Sequence, residues 1–407
     1  MNKLTEHRRQ QLKYVVSDAI SSELVWLCFL LFRWLVYEDR ILSVEQVLIP
    51  AFDFRLPLVI YPLGCLVVHY MSGYYLRPFD KRYSKEFLTT LISSLVIAIS
   101  IFFIIIIDDV VVDYHHYLVS LLVLISLQFV LSYIPRVLIT ALSKHRHLKN
   151  EEVVIDLPES TPMEQLYARV REVYPSGKDI LVVPRVYDLL TGAAQISELD
   201  EQPMIRITDH KMTDSGLCIK RASDVVCALV GMVLLSPVYL VIAILVKCSS
   251  TGPILYRQER IGLHAVPFQI LKFRTMVSGS EGNTPQLTVD NDPRITPIGH
   301  VLRKFRLDEL PQLWNVLVGD MSLVGPRPER RYFIEQIERR APYYCLLYKV
   351  RPGLTSWGPI KVGYTDTIEK MIQRLNYDIA YMENQSIRLD LKILFFTIGV
   401  LFNGQGK

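Results

Sequence analysis

The sequence predicts a membrane α + α/β protein in three parts. A four-helix transmembrane bundle occupies residues 1–149 and a small soluble α/β insert, a degenerate Rossmann-like βαβ unit, occupies 150–214. A mostly helical domain follows at 215–407, with a re-entrant membrane helix at 222–247 and a β-hairpin. Three observations carry this division. Half of the 407 residues are hydrophobic, mean hydropathy is +0.25, and the excess is gathered in blocks, as membrane segments require. A polar stretch with strand and helix patterns parts the fourth block from the fifth. The fifth block is long enough to cross a bilayer, yet Ser236-Pro237 interrupts it at its middle.

Four spans are predicted before Leu142. The first covers roughly Val15 to Val36 and is interrupted by Asp18, Glu23 and Arg33. The second runs about Leu56 to Tyr74, with Pro57 and Pro62 inside it. The third, Phe87 to Ile107, is the cleanest. The fourth runs about Tyr117 to Leu142, with Pro135 and Arg136 near its end. Each is close to the ~20 residues that a bilayer requires of a helix. Basic residues precede the first span (Lys3, Arg8, Arg9, Lys13), join the second to the third (Arg77, Lys81, Arg82, Lys85) and close the fourth (Arg136, Lys144, Arg146, Lys149). The other two loops are acidic or mixed, so the positive-inside rule puts both ends of the bundle in the cytoplasm. Charge before the first apolar block, with no small-residue cleavage site after it, reads as an anchor and not a signal peptide. Asp18 and Glu23 either face the bundle interior, lie at an imperfect helix end, or mark a functional site.

The net charge of +4 is too small to argue for nucleic acid. Its position beside the apolar blocks suits an anionic membrane surface. Of six cysteines, Cys28, Cys65, Cys227 and Cys248 lie in or beside apolar segments and none form a CxxC pair. Neither a disulfide framework nor a zinc site is expected.

In the insert, Val153 to Leu157 reads as a short buried strand. Thr161-Pro162-Met163-Glu164 reads as a capping box with proline at the first helical position, opening an amphipathic helix through Val173. Asp179 to Pro184 is a second strand, and a short helix ends near Gly192. The unit has no Gly-x-Gly-x-x-Gly, so nothing supports dinucleotide binding. A structural, regulatory or oligomer-forming role is expected.

The fifth block, Val225 to Val246, has basic flanks on both sides: Lys220 and Arg221 before, Lys247 and Arg257 after. Proline removes a backbone donor and clashes with the preceding turn, so a sharp bend is expected at Ser236-Pro237. A helix that enters, bends and returns keeps both flanks on one side. The freed backbone groups need partners, which the serine hydroxyl or neighbouring helices can supply. Next comes a hairpin: Ile254 to Arg260, a turn through Gly262, then Phe268 to Thr275. Strand periodicity points Lys272 and Arg274 to one face. Two such cations can grip a diphosphate or sit on a solvated edge.

Arg303 to Pro328 is the densest chemical stretch. A basic run, Arg303, Lys304 and Arg306, precedes the adjacent carboxylates Asp308 and Glu309, and a Gly-Pro-Arg-Pro turn follows at Gly325 to Pro328. The carboxylates stand before Pro311 and the apolar run Leu313 to Val318, where they can simply offset a helix dipole. The same mixture is what phosphoryl transfer needs: cations for phosphate oxygens, and acids that bind a metal or attack phosphorus. In the tail, Ile368, Met371, Ile372, Leu375 and Ile379 recur at helical spacing, which predicts packing. Leu389 to Phe402 is apolar and short for a span, so it suits the interface.

From Lys220 onward the chain resembles the bacterial sugar transferases, the monotopic phosphoglycosyl transferases. The matching pieces are KRASDVV with the LLSP break, GPILYRQERIG, PFQILKFRTM, NDPRITPIGHVLRKFRLDELPQLWNVLVGDMSLVGPRP, VRPGLTSWG and LDLKIL. They cover nearly all of the last 188 residues in family order. The four spans and the insert resemble, in layout, the long membrane-anchored subclass that initiates exopolysaccharide, capsule or O-antigen assembly.

The resemblance implies transfer of a sugar-1-phosphate from a UDP-sugar to a polyprenol phosphate such as undecaprenyl phosphate, releasing UMP, at the cytoplasmic face of the bacterial inner membrane. It implies Asp308 as nucleophile, forming a phosphosugar intermediate, and Glu309 as its partner in holding Mg²⁺ or handling protons. Arg303 matches a polyprenol-phosphate position. Pro326, Arg327 and Pro328 match the nucleotide-binding turn, and Lys272 matches a lysine near the phosphates, with Arg274 beside it. Asp390 is carried over for metal or fold support. After Thr355 this chain has Ser-Trp-Gly-Pro in place of the usual Gly-Trp-Ala-Gln, so no sugar is assigned. A homodimer through the bundle or the insert is compatible with this layout. Two rivals stand beside the transferase: an inactive membrane scaffold, disfavoured by the intact set Lys272, Arg303, Asp308, Glu309 and Arg327, and a nucleotide-sugar oxidoreductase, disfavoured by the missing glycine loop.

Overall fold

The apolar blocks are long helices in a computed structural model that describes residues 2–37, 55–76, 78–79, 81, 83–108, 114–146, 153–158, 160–174, 180–185, 205–207, 211–277, 279–280, 292–363 and 367–402. The chain divides into two compact units, Met1–Lys149 with Thr213–Ile219, and Asn150–Met212 with Lys220–Lys407.

The first unit holds α1 (Asn2–Tyr37), α2 (Arg55–Met71), α3 (Tyr83–Asp108) and α4 (Tyr114–Arg146). Stretches of α1, α3 and α4 (Arg8–Arg33, Tyr83–Phe103 and Leu118–Ser143) are long and apolar enough to cross a membrane. The apolar part of α2, Leu58–Met71, is shorter than these three, so the described residues supply three to four apolar helices in this unit. The acidic loops between the helices lie outside the described residues. Val25, Phe29, Tyr61, Cys65, Ile97 and Leu124 form the bundle core.

Asp18, one of the charges that interrupt the first span, is buried in an ion pair with Arg136. Arg136 Nη2 and Nε donate to Asp18 Oδ2 and Oδ1 at 2.7 and 2.8 Å, Arg136 Nη1 donates to Thr90 Oγ1 at 2.9 Å, and the Tyr75 hydroxyl donates to Asp18 Oδ2 at 2.6 Å. Asp18 therefore faces the bundle interior. An unpaired carboxylate there would be strongly destabilising; a bidentate guanidinium removes most of that cost.

In the second unit, β1 (Val153–Ile155) pairs in parallel with β2 (Ile180–Val182), joined by α5 (Met163–Val173), and β3 (Ile205–Arg206) adds antiparallel to β2. The βαβ connection is as expected. The capping box is not formed: Pro162 itself is the N-cap, extended at φ −57° and ψ 143°, with no side-chain cap bond. A turn from Pro158 O to Thr161 N at 2.9 Å takes Thr161 one position too early to cap. The helix expected near Gly192 lies outside the described residues. The insert does not close its core alone, since Cys345 is buried among Ile155, Leu166, Val170 and Ile180.

Helix α6 (Asp214–Leu234) and helix α7 (Ser236–Ser249) meet at a 63° bend. Pro237 stands in the first turn of α7, and the Ser236 hydroxyl donates to Val233 O at 2.7 Å, supplying the partner that the proline-disrupted backbone needs. Val230, Val233, Leu234, Leu240 and Val241 are all at least half exposed around the bend. The hairpin follows as β4 (Leu255–Ile261) and β5 (Pro267–Phe273), with Tyr256 opposite Lys272. Helices α8 (Pro297–Lys304) and α9 (Gln312–Val318) lead to β6 (Ser322–Val324). After α10 (Arg331–Glu338), β7 (Gly353–Thr355) pairs in parallel with β6, and α11 (Trp357–Val362), α12 (Ile368–Glu383) and α13 (Ile387–Phe402) close the chain. The helical spacing read in α12 is a packing stripe: Met371 and Leu375 are buried against Phe333, Ile334, Ile337 and Tyr344.

Candidate active site

Local chemistry sets each side chain of the dense stretch. Thr296 caps α8 by accepting from Gly299 N at 3.1 Å, with Pro297 next to it. The helix ends at Lys304, and Arg306 turns the chain in the left-handed region, φ 54°. A non-glycine residue pays about 1–3 kcal/mol to sit there. A single 3₁₀ turn, Leu307–Glu309, then seats Asp308 and Glu309, each 8% exposed. Pro311 ends this turn and α9 begins. The carboxylates thus do precede a helix, as the plain reading of the sequence has it, but they are buried in a cavity and not solvated at its end.

Helix α9 fixes the hairpin beside them. Asn315 Oδ1 accepts from Leu271 N at 3.0 Å and its Nδ2 donates to Gln269 O at 2.8 Å. The side chain acts as a short extra strand on the edge of β5, which locks the register of Lys272. From there Lys272 Nζ donates to Glu309 Oε1 at 2.8 Å. Arg327 Nη2 lies 3.6 Å from the same oxygen, and Arg306 Nη1 lies 3.5 Å from Oε2. Burial alone would raise the Glu309 carboxyl; Lys272, Arg327 and Arg306 together outweigh it and hold the group below its ordinary range. Asp308 goes the other way. Burial pushes it up, Lys272 pulls it down, the Glu309 charge pushes it up again, and it settles at about 6. Two adjacent carboxyls are thereby driven apart, the usual sign of divided roles.

These residues line a cavity of about 480 Å³ whose described walls carry nine cationic and three acidic residues. Such a surplus of positive charge fits a polyanion. The cavity brings together Lys272, Arg274, Arg303, Asp308, Glu309 and Arg327. Arg303 Nε donates to Thr275 Oγ1 at 2.9 Å. Arg274 shares the wall, but its Nη2 is held by Val246 O and Ser250 O at 3.3 and 2.6 Å, so it also ties the hairpin to the end of α7. Pro326 and Pro328 frame Arg327, and Gly353 N donates to Pro326 O at 2.9 Å. A Cβ on Gly325 would strike Arg351 O and Gly353 N, so the turn against β7 admits only glycine.

Asp390 is not part of this set. Lys220 Nζ donates to its Oδ2 at 2.6 Å and the Tyr381 hydroxyl to its Oδ1 at 2.6 Å, and it does not line the cavity. Of its two expected roles, metal or fold support, these contacts fit the second: Asp390 fastens α13 to the start of the bent pair. Among the described residues no group of three His, Cys, Asp or Glu gathers around a metal position. Asp308 and Glu309 alone remain, and two carboxylates with the rest supplied by phosphate oxygens and water is a donor set that suits Mg²⁺.

Sequence reasoning missed the frame behind Arg327. Glu329, next after Pro328, is paired with Arg260 at 3.2 Å and with Arg374. Asp378 accepts from Arg327 N at 3.4 Å, from Gly358 N at 3.1 Å and from the Ser356 hydroxyl. Arg374 and Asp378 stand four apart on α12, a spacing that puts them on one helix face. That spacing was the available signal, hidden beneath the stronger apolar stripe.

A family model described as bacterial sugar transferase matches residues 215–404. Over 224 residues, 55% of this chain and 52% of the relative, the chain is 38% identical to a UDP-N-acetylgalactosamine-undecaprenyl-phosphate N-acetylgalactosaminephosphotransferase of Aeromonas hydrophila. It is 44% identical over 181 residues, 44% of this chain and 68% of the relative, to a UDP-glucose:undecaprenyl-phosphate glucose-1-phosphate transferase of Caulobacter vibrioides. It is 39% identical over 197 residues, 47% of this chain and 98% of the relative, to the exopolysaccharide production protein PSS of Rhizobium leguminosarum. The match spans about half the length of the larger relatives.

Proposed function

The chain belongs to the bacterial sugar transferase family, and on that premise we propose that it transfers a sugar-1-phosphate from a UDP-sugar to undecaprenyl phosphate, yielding UMP and the polyprenol diphosphate sugar. The observation that carries the reading is the divided pair, Asp308 raised to about 6 and Glu309 held low, buried in a strongly cationic cavity.

In the proposed course an Asp308 carboxylate oxygen attacks the sugar-bearing phosphorus. The Oδ–P bond forms as the bond from that phosphorus to the UMP oxygen breaks. An oxygen of the polyprenol phosphate then attacks the same phosphorus and frees Asp308. Asp308 is ionised at neutral pH yet more basic than an ordinary carboxylate, which favours a nucleophile. Lys272 and Arg327 would leave Glu309 in part to meet diphosphate oxygens, and Arg303 would meet the lipid phosphate. Bound Mg²⁺, held by Asp308 or Glu309 with the diphosphate, would supply further charge neutralisation for the departing UMP.

The bent pair α6 and α7 is proposed as a re-entrant membrane helix, with the cavity at the cytoplasmic face of the inner membrane and the reaction as the first membrane step of exopolysaccharide, capsule or O-antigen synthesis. The relatives named above differ in their sugar, so the donor is left to experiment. UMP release is measured across a panel of UDP-sugars with undecaprenyl phosphate and Mg²⁺, for the wild type and Asp308→Asn. Release from one donor, lost in the variant together with covalent labelling by the radiolabelled sugar, is the expected result. Labelling that persists in Asp308→Asn places the nucleophile elsewhere, and no release from any donor returns the lead to an inactive scaffold.

A further inference from the structure

Helices α1 and α4 share a groove of about 780 Å³ on the first unit, away from the catalytic residues in sequence and independent of their reading. Its walls are Leu12, Val16, Ile20 and Leu24 of α1 and Val130 and Ile134 of α4, each between 45% and 60% exposed. The depression exists because small residues replace large ones at its floor, Ser17 and Ser21, facing Pro135. One end is different in kind. Arg9 and Lys13, one helical turn apart on α1, are both exposed and close the groove with positive charge. The helices run in opposite directions, so this end also receives the end of α4, where the Tyr14 hydroxyl meets Thr140 Oγ1 at 2.8 Å.

Length and charge together select the occupant. From Lys13 to Leu24 the groove runs about 16 Å along the helix axis. One leaflet of a bilayer core is about 15 Å deep, half of its ~30 Å. A chain that starts at the depth of Lys13 therefore ends near Leu24. We propose that this groove binds one acyl chain of an anionic phospholipid, with the phosphate held by Arg9 and Lys13. A packed apolar helix would leave both cations without a counter-charge. A polyprenyl phosphate satisfies the cations, but its much longer chain overruns the groove beyond Leu24.

The test is native mass spectrometry of the full-length, delipidated protein titrated with phosphatidylglycerol and with phosphatidylcholine of identical chains. About tenfold or greater preference for phosphatidylglycerol is expected, from two cations near an anionic headgroup. In Arg9→Gln/Lys13→Gln, two exposed positions that leave the fold intact, that preference disappears. In Ser17→Leu, which fills the floor and keeps both charges, retained phosphatidylglycerol falls to the level of phosphatidylcholine. Equal binding of the two lipids by the wild type overturns the proposal, as does an unchanged preference in either variant. Displacement of phosphatidylglycerol by undecaprenyl phosphate at equal concentration assigns the groove to the polyprenyl lipid and overturns the phospholipid assignment.

Discussion

The Lys272 ammonium donates to Glu309 Oε1 at 2.8 Å, while no described residue hydrogen-bonds the carboxyl of Asp308 beside it. The nearest cations are thus spent on one of two neighbouring acids. Glu309 is compensated and stays ionised; Asp308 is buried with less compensation and rises to about 6. A group poised in this way is destabilised in the resting protein, which is the state a nucleophile requires.

That poise has a stability signature. The folded carboxyl of Asp308 stands above its ordinary value of 3.8. Its contribution is therefore whole below that value and is lost as pH rises through about 6. Asp308→Asn stays neutral at every pH and escapes the loss. The variant is expected to be more stable than the wild type at pH 7.5, by up to about 3 kcal/mol, with the gap closing near pH 4. Thermal unfolding of the full-length protein in nanodiscs at both pH values checks this. A variant less stable than wild type at pH 7.5 contradicts it.

The same group sets a pH limb. Attack requires the carboxylate, so the rate of UMP release is expected to rise with pH through about 6 and level off above 7. Lys272 lowers the Asp308 carboxyl. Lys272→Met removes that pull, so its acid limb moves to higher pH as well as its rate falling. Profiles of kcat/KM for both proteins decide it; a limb that stays in place in the variant uncouples Lys272 from Asp308.

The frame around Glu329 predicts a different kind of defect. Glu329 joins Arg260 of the hairpin to Arg374 of α12, and Asp378 holds the backbone of Arg327. None of these groups meets the proposed nucleophile in the structure. Arg374→Met leaves the turn free to shift, and a shift of about 1 Å can cost on the order of 10²-fold. The loss is expected mainly in KM for the UDP-sugar, with kcat changed less and Asp308 labelling retained. Arg374→Lys is expected to recover part of it. An equal fall in kcat with KM unchanged would instead give Arg374 a role in the chemical step.

Local signals were legible in the sequence and long-range contacts were not. Apolar runs announce helices because the bilayer imposes a length, and Ser236-Pro237 announces a bend because proline lacks a donor. Lys272 and Arg274, which the strand period put on one face, both line the cavity, as does Phe273 between them. The period was silent on the carbonyls of Val246 and Ser250 that hold Arg274. Asp390 was carried over for metal or fold support, and the sequence did not reveal its partner Lys220, 170 residues earlier in the chain. The Asp308–Glu309 pair was visible as two acids; their opposite fates depend on Lys272, Arg306 and Arg327 converging from three segments. Thr161 shows the reverse failure, a strong local cap signal overridden by a turn one residue upstream.

The bend itself makes the last prediction. Residues 214–249 as one straight helix would be about 54 Å long, far more than the ~30 Å of a bilayer core. Such a helix would cross the membrane and carry the hairpin to the other side. With the bend of 63°, both ends of the pair can stay on one side. Pro237→Ala restores the missing amide donor, and Ser236→Leu removes the hydroxyl that serves Val233 O; the double variant is expected to straighten. Single cysteines in place of Ser215 and Thr251, in a background without the native thiols, report the path in sealed membrane vesicles. In the otherwise native chain both are expected to react with an impermeant maleimide from the same side. In the double variant Thr251→Cys is expected to react from the opposite side, with UMP release lost. Opposite-side labelling already present in the chain that keeps Ser236-Pro237 would make the pair a crossing span and remove the re-entrant reading.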